Sequence, residues 1–357
     1  MVEVVLQFQE AHTKTQDINM YSVIYPDVLA RDNFAVEKPI AKNKCNLTAF
    51  QAKQMEDVAD DIWHNADALV TGLTLKINTP LINKLHKCKI ITRLGVGFDL
   101  IDIETCGKSG IAVCNVPDYG TYEVADHAIA LILNFARGIS YYNQILKKDL
   151  ISNWDFSKAP NIDRLTNKTL GIIGLGRIGT ACALRAKALG LKVKFFDPYV
   201  PDGQEKALNI ERFDCVEDLA QSSDYISIHC LANNETNKLV NADLIKLFKS
   251  NVIIVNTARG VIIDIDAVYD GLKLNQIKAV GLDVLPNEPP NKDHPLIKAW
   301  RNEEWAEGRI IITPHSAFYS PEGLVFLREK SLKTCLNHIE GIRTVNCVNT
   351  EYLIKPR

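Results

Sequence analysis

A glycine-rich turn between a strand and a helix constrains the fold of this chain more than any other feature. The pattern Gly-x-Gly-x-x-Gly occupies residues 174–179, directly after the apolar segment 170–173 and before the helical spacing of 180–189. The pattern alone is a weak signal, but in a βαβ unit each glycine has a role. The first permits a tight turn, the second lets a ligand approach the backbone, and the third lets the helix pack on the strand. The context predicts an anion site at a helix N-terminus.

The next strand indicates which anion this turn would bind. Residues 192–196 are predicted to form a strand that ends at Asp197, 18 residues after Gly179. A carboxylate at this distance can accept hydrogen bonds from the ribose of a dinucleotide, although a turn or cap residue would look the same. Its charge repels a 2′-phosphate and no arginine follows in 198–200, which favours NAD over NADP. The expected cofactor contacts in the turn are Gly174, Gly176, Arg177, Ile178 and Gly179.

Strand signals alternate with helical spacing along the chain, which predicts an α/β fold with parallel sheets. The strands predicted before residue 117 are 66–72, 89–93 and 111–116, with a helix over 79–88. The strands predicted later are 170–173, 192–196, 225–229, 252–256, 279–284 and 310–313, which match one dinucleotide-binding sheet. The remaining predicted elements are an amphipathic helix over 122–137, a loop over 150–166 and a helix within 321–343.

Composition and charge exclude several classes of protein. The 357 residues suit two domains of roughly 100–200 residues each. A net charge of −2 argues against strong attraction to nucleic acid. The nine cysteines occur singly, without a Cys-x-x-Cys pair, so we expect reduced thiols in the cytoplasm and no metal cluster. We expect no membrane association, because no run reaches the roughly 18–20 apolar residues of a span and residues 1–10 do not resemble a signal peptide.

Three polar residues stand just after predicted strands, at the edge where open α/β sheets bind ligands. They are Arg259, Glu288 and His315. Arginine can anchor a carboxylate or polarise a carbonyl, and histidine can exchange a proton with an alkoxide near neutral pH. A nearby glutamate would favour the imidazolium form and orient the ring. Each residue alone is most often structural or solvated, but together they predict hydride transfer at the 2-carbon of a small 2-oxo or 2-hydroxy acid.

The order and spacing of these motifs resemble the D-isomer-specific 2-hydroxyacid dehydrogenase family over nearly the whole chain. The segments that carry the resemblance are 95–102 (GVGFDLID), 115–117 (NVP), 174–179 (GLGRIG), 256–260 (NTARG), 283–284 (DV), Glu288 and 313–315 (TPH). The resemblance implies two Rossmann-like domains, in which an NAD-binding domain is inserted into a flavodoxin-like substrate domain. The implied boundaries are 1–118 and 319–357 for the substrate domain and 119–318 for the NAD-binding domain.

The resemblance also implies a role for individual residues. His315 would be the acid/base, Glu288 its partner and Arg259 the substrate anchor. The backbone of Val96 and Gly97 would hold the substrate carboxylate. Further cofactor contacts would come from Asp197, His229, Thr257, Ala258 and Asp283, with Asp283 near the nicotinamide carboxamide. The helix over 122–137 resembles one that family members use to form a homodimer, and its apolar face could equally belong to the core.

Within the family, the sequence is most similar to the C-terminal-binding-protein branch. The similar segments are 93–99 (RLGVGFD), 114–117 (CNVP), 197–199 (DPY), 315–320 (HSAFYS) and 347–349 (CVN). In that branch the arginine matching Arg93 adds a second cation to the substrate pocket. A tryptophan is usual where this chain has Phe318, which keeps an aromatic wall without the indole N–H.

Two functions remain open at this point. One is a working dehydrogenase. The other is an NAD(H)-sensing dimeric scaffold or transcriptional co-repressor of the C-terminal-binding-protein type, because those proteins keep the same three polar residues. The segment 299–308 lengthens the interval between Glu288 and His315. It is expected to be a solvated excursion, with a loop near the cleft as the alternative.

Overall fold

The computed structural model describes residues 20–28 and 32–353 of the chain. Residues 1–10, on which the expectation about a signal peptide rests, lie outside this part. The described part includes all nine cysteines and contains no disulfide. Among its helices, none is long and apolar enough to cross a membrane.

The chain divides into two compact units. The first consists of Met1–Val116 and Leu327–Arg357, and the second is the intervening segment Pro117–Phe326. The later division falls inside a single helix, Pro321–Ile339, rather than at its start. The predicted domain boundaries after residues 118 and 318 therefore stay a prediction.

The first unit is built on a five-stranded parallel sheet. Its strands are Tyr21–Tyr25 (β1), Cys45–Ala49 (β2), Ala68–Thr71 (β3), Ile90–Arg93 (β4) and Ala112–Cys114 (β5). Their order in the sheet is β2-β1-β3-β4-β5, which is the flavodoxin-like order. Its short helices are Lys38–Ala41 (α1), Asp60–Asn65 (α2), Thr79–Ile82 (α3) and Ile103–Lys108 (α4).

Sequence patterns predict β3, β4 and β5 but miss β1 and β2. The edge strand β2 has only its first residue buried, and β1 is buried over its last three residues, so both have weak apolar patterns. The helix predicted over 79–88 is wrong beyond Ile82. There the chain continues in tighter turns, in which the N–H of Lys84 donates to the carbonyl of Leu81 and that of Leu85 to Ile82.

Two apolar clusters make up the core of the first unit. One contains Trp63 and Ile91. The other contains Val23 of β1 together with Leu332 and Leu336 of the C-terminal helix. Burying each large side chain contributes about 1.5–3 kcal/mol. The C-terminal segment of the chain is therefore an integral part of this unit.

The second unit is built on a seven-stranded parallel sheet. Its strands are Thr169–Ile173 (β6), Lys192–Phe196 (β7), Glu211–Phe213 (β8), Tyr225–Ile228 (β9), Val252–Asn256 (β10), Ile277–Leu282 (β11) and Ile310–Ile312 (β12). Their order is β8-β7-β6-β9-β10-β11-β12. This is the dinucleotide-binding order 3-2-1-4-5-6 extended by one strand. The sequence predicts six of the seven, and misses the three-residue edge strand β8.

The second unit also contains helices, several of which contact its sheet. They are Thr121–Arg137 (α5), Ile139–Lys148 (α6), Arg177–Ala188 (α7), Gln204–Leu208 (α8), Val216–Ser222 (α9), Ala242–Leu247 (α10), Ile265–Lys273 (α11) and Pro295–Asn302 (α12). Gly138, with φ 65°, ends α5 as expected, but α6 begins at the next residue. The predicted loop over 150–166 contains no helix or strand.

The apolar face of α5 belongs to the core of its own unit. Val124, Ala128, Leu131 and Phe135 are all buried, as their spacing predicts. The helix contacts α7 and the strands β10 and β11. Of the two roles expected for this face, a dimer surface or part of the core, the structure shows the second.

The segment 299–308 is solvated only in part: Trp300, Arg301, Asn302 and Glu304 are exposed, and other residues of the segment pack on the unit. It comprises the end of α12 and a 3₁₀ turn, and Ala299 and Ala306 are buried. The guanidinium of Arg309 lies over the ring of Trp305 and donates to the carbonyl of Leu272 at 2.8 Å. Because the segment leads into the amino end of β12, it lies away from the carboxyl edge of the sheet.

Candidate active site and cofactor site

The glycine turn leaves open space at the N-terminus of α7. Gly174 has φ 91°, and a Cβ there would lie 2.5 Å from the backbone nitrogen of Cys230. A Cβ on Gly179 would lie 2.1 Å from the carbonyl oxygen of Gly174. A Cβ on Gly176 would meet no atom within 4 Å. The outer two glycines thus allow close packing, and the middle one borders space that a phosphate could enter.

Asp197 connects this turn to the end of β7. Its Oδ2 accepts from the N–H of Leu175 at 2.8 Å, and its Oδ1 accepts from the N–H of Tyr199 at 2.9 Å. These bonds orient the carboxylate beside the glycine turn. Each oxygen has a second lone pair, so the group can still accept from a ribose hydroxyl.

Two buried polar atoms at the carboxyl edge of the sheet have no hydrogen-bond partner in the described structure. They are Nδ1 of His229, after β9, and Oγ1 of Thr257, after β10. The other ring nitrogen of His229 lies 2.8 Å from Oγ of Ser227. Burial lowers the pKa of His229 to about 4, so the ring is neutral at neutral pH. Because buried polar groups nearly always have partners, these atoms fit a site that NAD would complete.

His315 and Glu288 form the central contact of the candidate active site. Nδ1 of His315 lies 2.6 Å from Oε2 of Glu288. The other carboxylate oxygen of Glu288, Oε1, accepts from the N–H of Leu285 at 3.0 Å. Desolvation raises the pKa of Glu288, but the hydrogen bonds from His315 and Leu285 and the charges of His315 and Arg259 outweigh it. The net pKa lies below its usual value, so the carboxylate is ionised at neutral pH.

Arg259 is positioned by its own loop. The side-chain amide of Asn256 donates to the carbonyl of Arg259 at 2.9 Å and accepts from the N–H of Ala258 at 3.0 Å. A Cβ on Gly260 would lie 1.9 Å from the carbonyl carbon of Leu285. The loops after β10 and β11 are therefore in close contact, which brings Arg259 near Glu288.

A buried carboxylate holds the loop that carries His315. His315 has φ 51°, which is uncommon for a residue with a side chain. Asp283 accepts from the N–H groups of Ser316 at 2.9 Å and Ala317 at 3.0 Å, and from the hydroxyl of Thr313 at 2.6 Å. Asp283, for which the sequence implies a cofactor contact, thus also positions this loop.

Sequence reasoning missed His127, which supports the same loop. His127 is a residue of α5. Its Nε2 atom lies 3.1 Å from Oγ1 of Thr313 and 3.8 Å from Oδ1 of Asp283. Helical periodicity marks it only as a polar position beside an apolar face. On another side of the loop, the ring of Phe318 lies 6.0 Å from that of His315 at 82°.

The remaining predicted residues belong to the first unit. Arg93 ends β4, is buried, and donates through Nη1 to the carbonyl of Leu94. The amide of Asn115 donates to the carbonyl of Val96 at 2.7 Å and so fixes the loop that precedes Gly97. A small concavity is lined by Gly72, Leu73, Arg93 and residues 97–101.

The structure thus forms two groups of predicted residues. Arg259, Glu288, His315 and Phe318 lie together in the second unit, along the edge that also carries the glycine turn. Arg93, Val96 and Gly97 lie together in the first. Among the described residues, no cluster of His, Cys, Asp and Glu could hold a metal ion.

Comparison with known proteins identifies the second unit and the family. Residues 129–317 match the model of the D-isomer specific 2-hydroxyacid dehydrogenase, NAD binding domain. The chain is 34% identical over 303 residues to D-3-phosphoglycerate dehydrogenase of Methanocaldococcus jannaschii, which covers 85% of this chain and 54% of that protein. It is 31% identical over 329 residues to C-terminal-binding protein 1 of Caenorhabditis elegans, which covers 90% of this chain and 44% of that protein. The chain spans about half the length of these curated relatives.

Solved structures match this chain over most of its length, across both units. The D-lactate dehydrogenase from Aquifex aeolicus, complexed with NAD and lactic acid, matches with a TM-score of 0.81 and 27% identity, over 92% of this chain and 99% of that one. The TT0316 protein from Thermus thermophilus matches with a TM-score of 0.80 and 25% identity, over 92% and 99% of the two chains.

These matches define a class of two-domain nucleotide-binding proteins with a Rossmann unit inserted into a flavodoxin-like one. Within this class, the chain belongs to the D-isomer-specific 2-hydroxyacid dehydrogenase family. The predicted family, α/β fold and NAD cofactor are confirmed. The assignment to the C-terminal-binding-protein branch stays a prediction, because relatives from two branches match at similar identity.

Proposed function

We propose that this protein is an NAD-dependent dehydrogenase that interconverts a 2-oxo acid and its D-2-hydroxy acid. One observation carries the proposal: His315 and Glu288 are hydrogen-bonded at the carboxyl edge of an NAD-binding sheet, near Arg259. The A. aeolicus neighbour, a D-lactate dehydrogenase with NAD and lactic acid, supports the same chemistry.

The side chains of this site suit proton exchange during hydride transfer. When the cofactor is bound, NADH would supply the hydride in reduction and NAD⁺ would accept it in oxidation. Because Nδ1 of His315 contacts Glu288, Nε2 is the atom that would give a proton to the oxygen on the 2-carbon in reduction, and take it in oxidation. The ionised Glu288 stabilises the imidazolium, and Arg259 would hold the substrate and polarise its carbonyl.

We also propose, from the branch resemblance at Arg93, that the substrate has a second polar or anionic group. The backbone of Val96 and Gly97 would hold the carboxylate next to the 2-carbon, and Arg93 would add a second cation. Replacing Arg93 with alanine should lower kcat/KM more for an oxaloacetate-like acid than for a pyruvate-like one. An equal loss for both acids would show that Arg93 does not bind a second anionic group of the substrate. That result would leave the dehydrogenase proposal unaffected.

A homodimer and a cytoplasmic location are also part of the proposal. Since the apolar face of α5 is core, the dimer surface is assigned instead to the loop that follows α6. Leu150, Ile151, Trp154 and Phe156 are between 57% and 90% exposed there. Several large exposed apolar side chains within seven residues of the chain are typical of an interface. The absence of disulfides among nine cysteines favours a reducing compartment.

Oxidation of NADH in the presence of a panel of 2-oxo acids tests the activity. We expect turnover with at least one acid, and a loss of roughly 100-fold or more in the His315→Ala variant. If NADH binds tightly but no acid is reduced, the protein is a nucleotide-sensing scaffold, the alternative that similarity to C-terminal-binding protein 1 favours.

A further inference from the structure

Two cysteines of the first unit face each other where the C-terminal segment meets the five-stranded sheet. Cys114 is the last residue of β5, and Cys347 follows the C-terminal helix. The two residues form an isolated antiparallel bridge. Cys114 is buried, whereas Cys347 is partly exposed and could be reached from solvent.

The backbone bonds around this bridge define its geometry. The N–H of Asn115 donates to the carbonyl of Asn346 at 3.2 Å, and the N–H of Val348 donates to the carbonyl of Val113 at 2.8 Å. The cysteines between them are thus a non-hydrogen-bonded antiparallel pair, whose Cα atoms lie about 4.5 Å apart. A disulfide needs a Cα separation of about 4.4–6.8 Å. The backbone can therefore accommodate a disulfide with little movement.

Asn349 anchors the C-terminal segment in this position. Its Oδ1 accepts from the N–H of Val113 at 2.9 Å, and its Nδ2 donates to the carbonyl of Ile111 at 3.0 Å and to that of Ile103 at 3.2 Å. Asn349 is fully buried. The segment that carries Cys347 is therefore fixed beside β5 rather than loosely placed.

The two thiols also affect each other's ionisation. The contact with Cys114 lowers the pKa of Cys347, against the effect of desolvation. The same contact and burial raise the pKa of Cys114. The Sγ of Cys347 also donates to Oδ1 of Asn349 at 3.3 Å. The more exposed sulfur is therefore the more readily ionised of the two. Thiolate character and access are what make a cysteine reactive.

We propose that Cys347 and Cys114 are an oxidation site, at which a hydroperoxide converts the facing thiols into a reversible disulfide. The Cys347 thiolate attacks one peroxide oxygen, the O–O bond breaks, and Cys347 becomes a sulfenic acid. The Cys114 sulfur then attacks the Cys347 sulfur, the S–O bond breaks, and water leaves. With hydrogen peroxide, two thiols lose two electrons and two protons, and two waters form.

Mass spectrometry of the full chain tests this site independently of any dehydrogenase activity. The protein is treated with graded hydrogen peroxide, alkylated with iodoacetamide, and digested with trypsin without reductant. Cys114 falls in peptide 109–137 and Cys347 in peptide 344–357, each of which has a single cysteine. We expect these peptides to be recovered linked, two hydrogen atoms lighter than their sum, and to separate on treatment with dithiothreitol.

Variants identify the attacking sulfur. The Cys347→Ser protein should give no linked peptide. The Cys114→Ser protein should accumulate a sulfenic acid at Cys347 that dimedone traps. Cys215 is partly exposed and its neighbouring acids Asp218 and Glu217 raise its pKa, so the Cys215→Ser control should link as well as wild type.

The rate of alkylation adds a measurement that does not need a buried residue to be replaced. At pH 7, Cys347 should react with iodoacetamide roughly tenfold faster than Cys215. The proposal is overturned if both peptides of the wild-type protein are recovered alkylated at peroxide doses that oxidise Cys215. It is also overturned if Cys347 links to a cysteine other than Cys114.

Discussion

Two carboxylates act on His315 from different sides. Glu288 contacts its ring, and Asp283 binds the backbone of the loop that carries it. The first contact concerns the charge of the ring, and the second concerns its position. The two effects can be separated by replacing each carboxylate with its amide.

Replacing Glu288 with glutamine should change the pH dependence of the reaction. The pKa of Glu288 is lowered, so its negative charge faces the ring of His315 throughout the neutral range. Glutamine lacks this charge, so kcat/KM for a 2-oxo acid should fall roughly 100-fold at pH 7. The difference between the two proteins should shrink toward the acidic pH at which Glu288 of the wild type becomes protonated. An unchanged profile, matching that of the exposed-residue control Glu217→Gln, would contradict this role.

Replacing Asp283 with asparagine should disturb the loop rather than the cofactor. Asparagine keeps only one accepting oxygen, so one of the N–H groups of Ser316 and Ala317 would face an amide nitrogen that cannot accept, and a buried unsatisfied group costs about 1–3 kcal/mol. Thermal unfolding should report this loss, and kcat should fall roughly tenfold or more, since small displacements of a catalytic group are costly. The control is Asp266→Asn on the surface. Loss of NADH binding with unchanged stability would instead indicate the direct cofactor contact that the resemblance implies.

At the scale of elements, the strand–turn–helix unit of β6 and α7 combines two kinds of glycine. Gly179 is required by packing, because its Cα hydrogen faces the carbonyl of Gly174. Gly176 borders open space and has an ordinary φ of −71°. The sequence shows only that both positions are glycine. The structure shows that Gly179 is needed for packing and that Gly176 borders space for a ligand.

Alanine at Gly179 should therefore lower stability, whereas alanine at Gly176 should weaken NADH binding. Gly179→Ala should destabilise the protein by roughly 1–3 kcal/mol, because its Cβ would overlap a backbone oxygen. Gly176→Ala should leave the free energy of unfolding nearly unchanged and weaken NADH binding, because its methyl would occupy the space of the phosphates. Denaturant unfolding measures the free energy of unfolding, and fluorescence titration with NADH measures the affinity for the cofactor. Equal NADH affinity in Gly176→Ala and wild type would contradict the cofactor site.

The elements whose sequence pattern is local could be predicted from the sequence. The glycine turn, the strands of the second unit except β8, and the buried face of α5 all follow from spacing. The edge strands β2 and β8 could not be predicted, because edges bury little apolar surface. His127 and the positioning role of Asp283 depend on contacts between residues far apart in the chain, which no local pattern reveals. The packing of 299–308 depends likewise on Arg309 reaching α11.

At the scale of the whole molecule, the loop after α6 is the surface that the proposed dimer would bury. Phe156→Asp places a charge at the most exposed of its apolar side chains, where burial without a partner is unfavourable. Light scattering should give a dimer for wild type and a monomer for this variant. Leu274→Asp, at an exposed apolar residue elsewhere in the second unit, should remain dimeric. If the wild-type protein is a monomer in this measurement, the proposed dimer is wrong.

The proposed reaction moves a hydride between NAD and the 2-carbon of a small acid. The direct measurement uses NADH carrying deuterium at the transferred position of the nicotinamide ring, with the 2-oxo acid that gives the fastest turnover. We expect the product to be the D-2-hydroxy acid with deuterium on its 2-carbon, and we expect His315→Ala to form it far more slowly. An L-configured product, an unlabelled 2-carbon, or bound NADH that no acid oxidises would show that the protein does not catalyse this reaction.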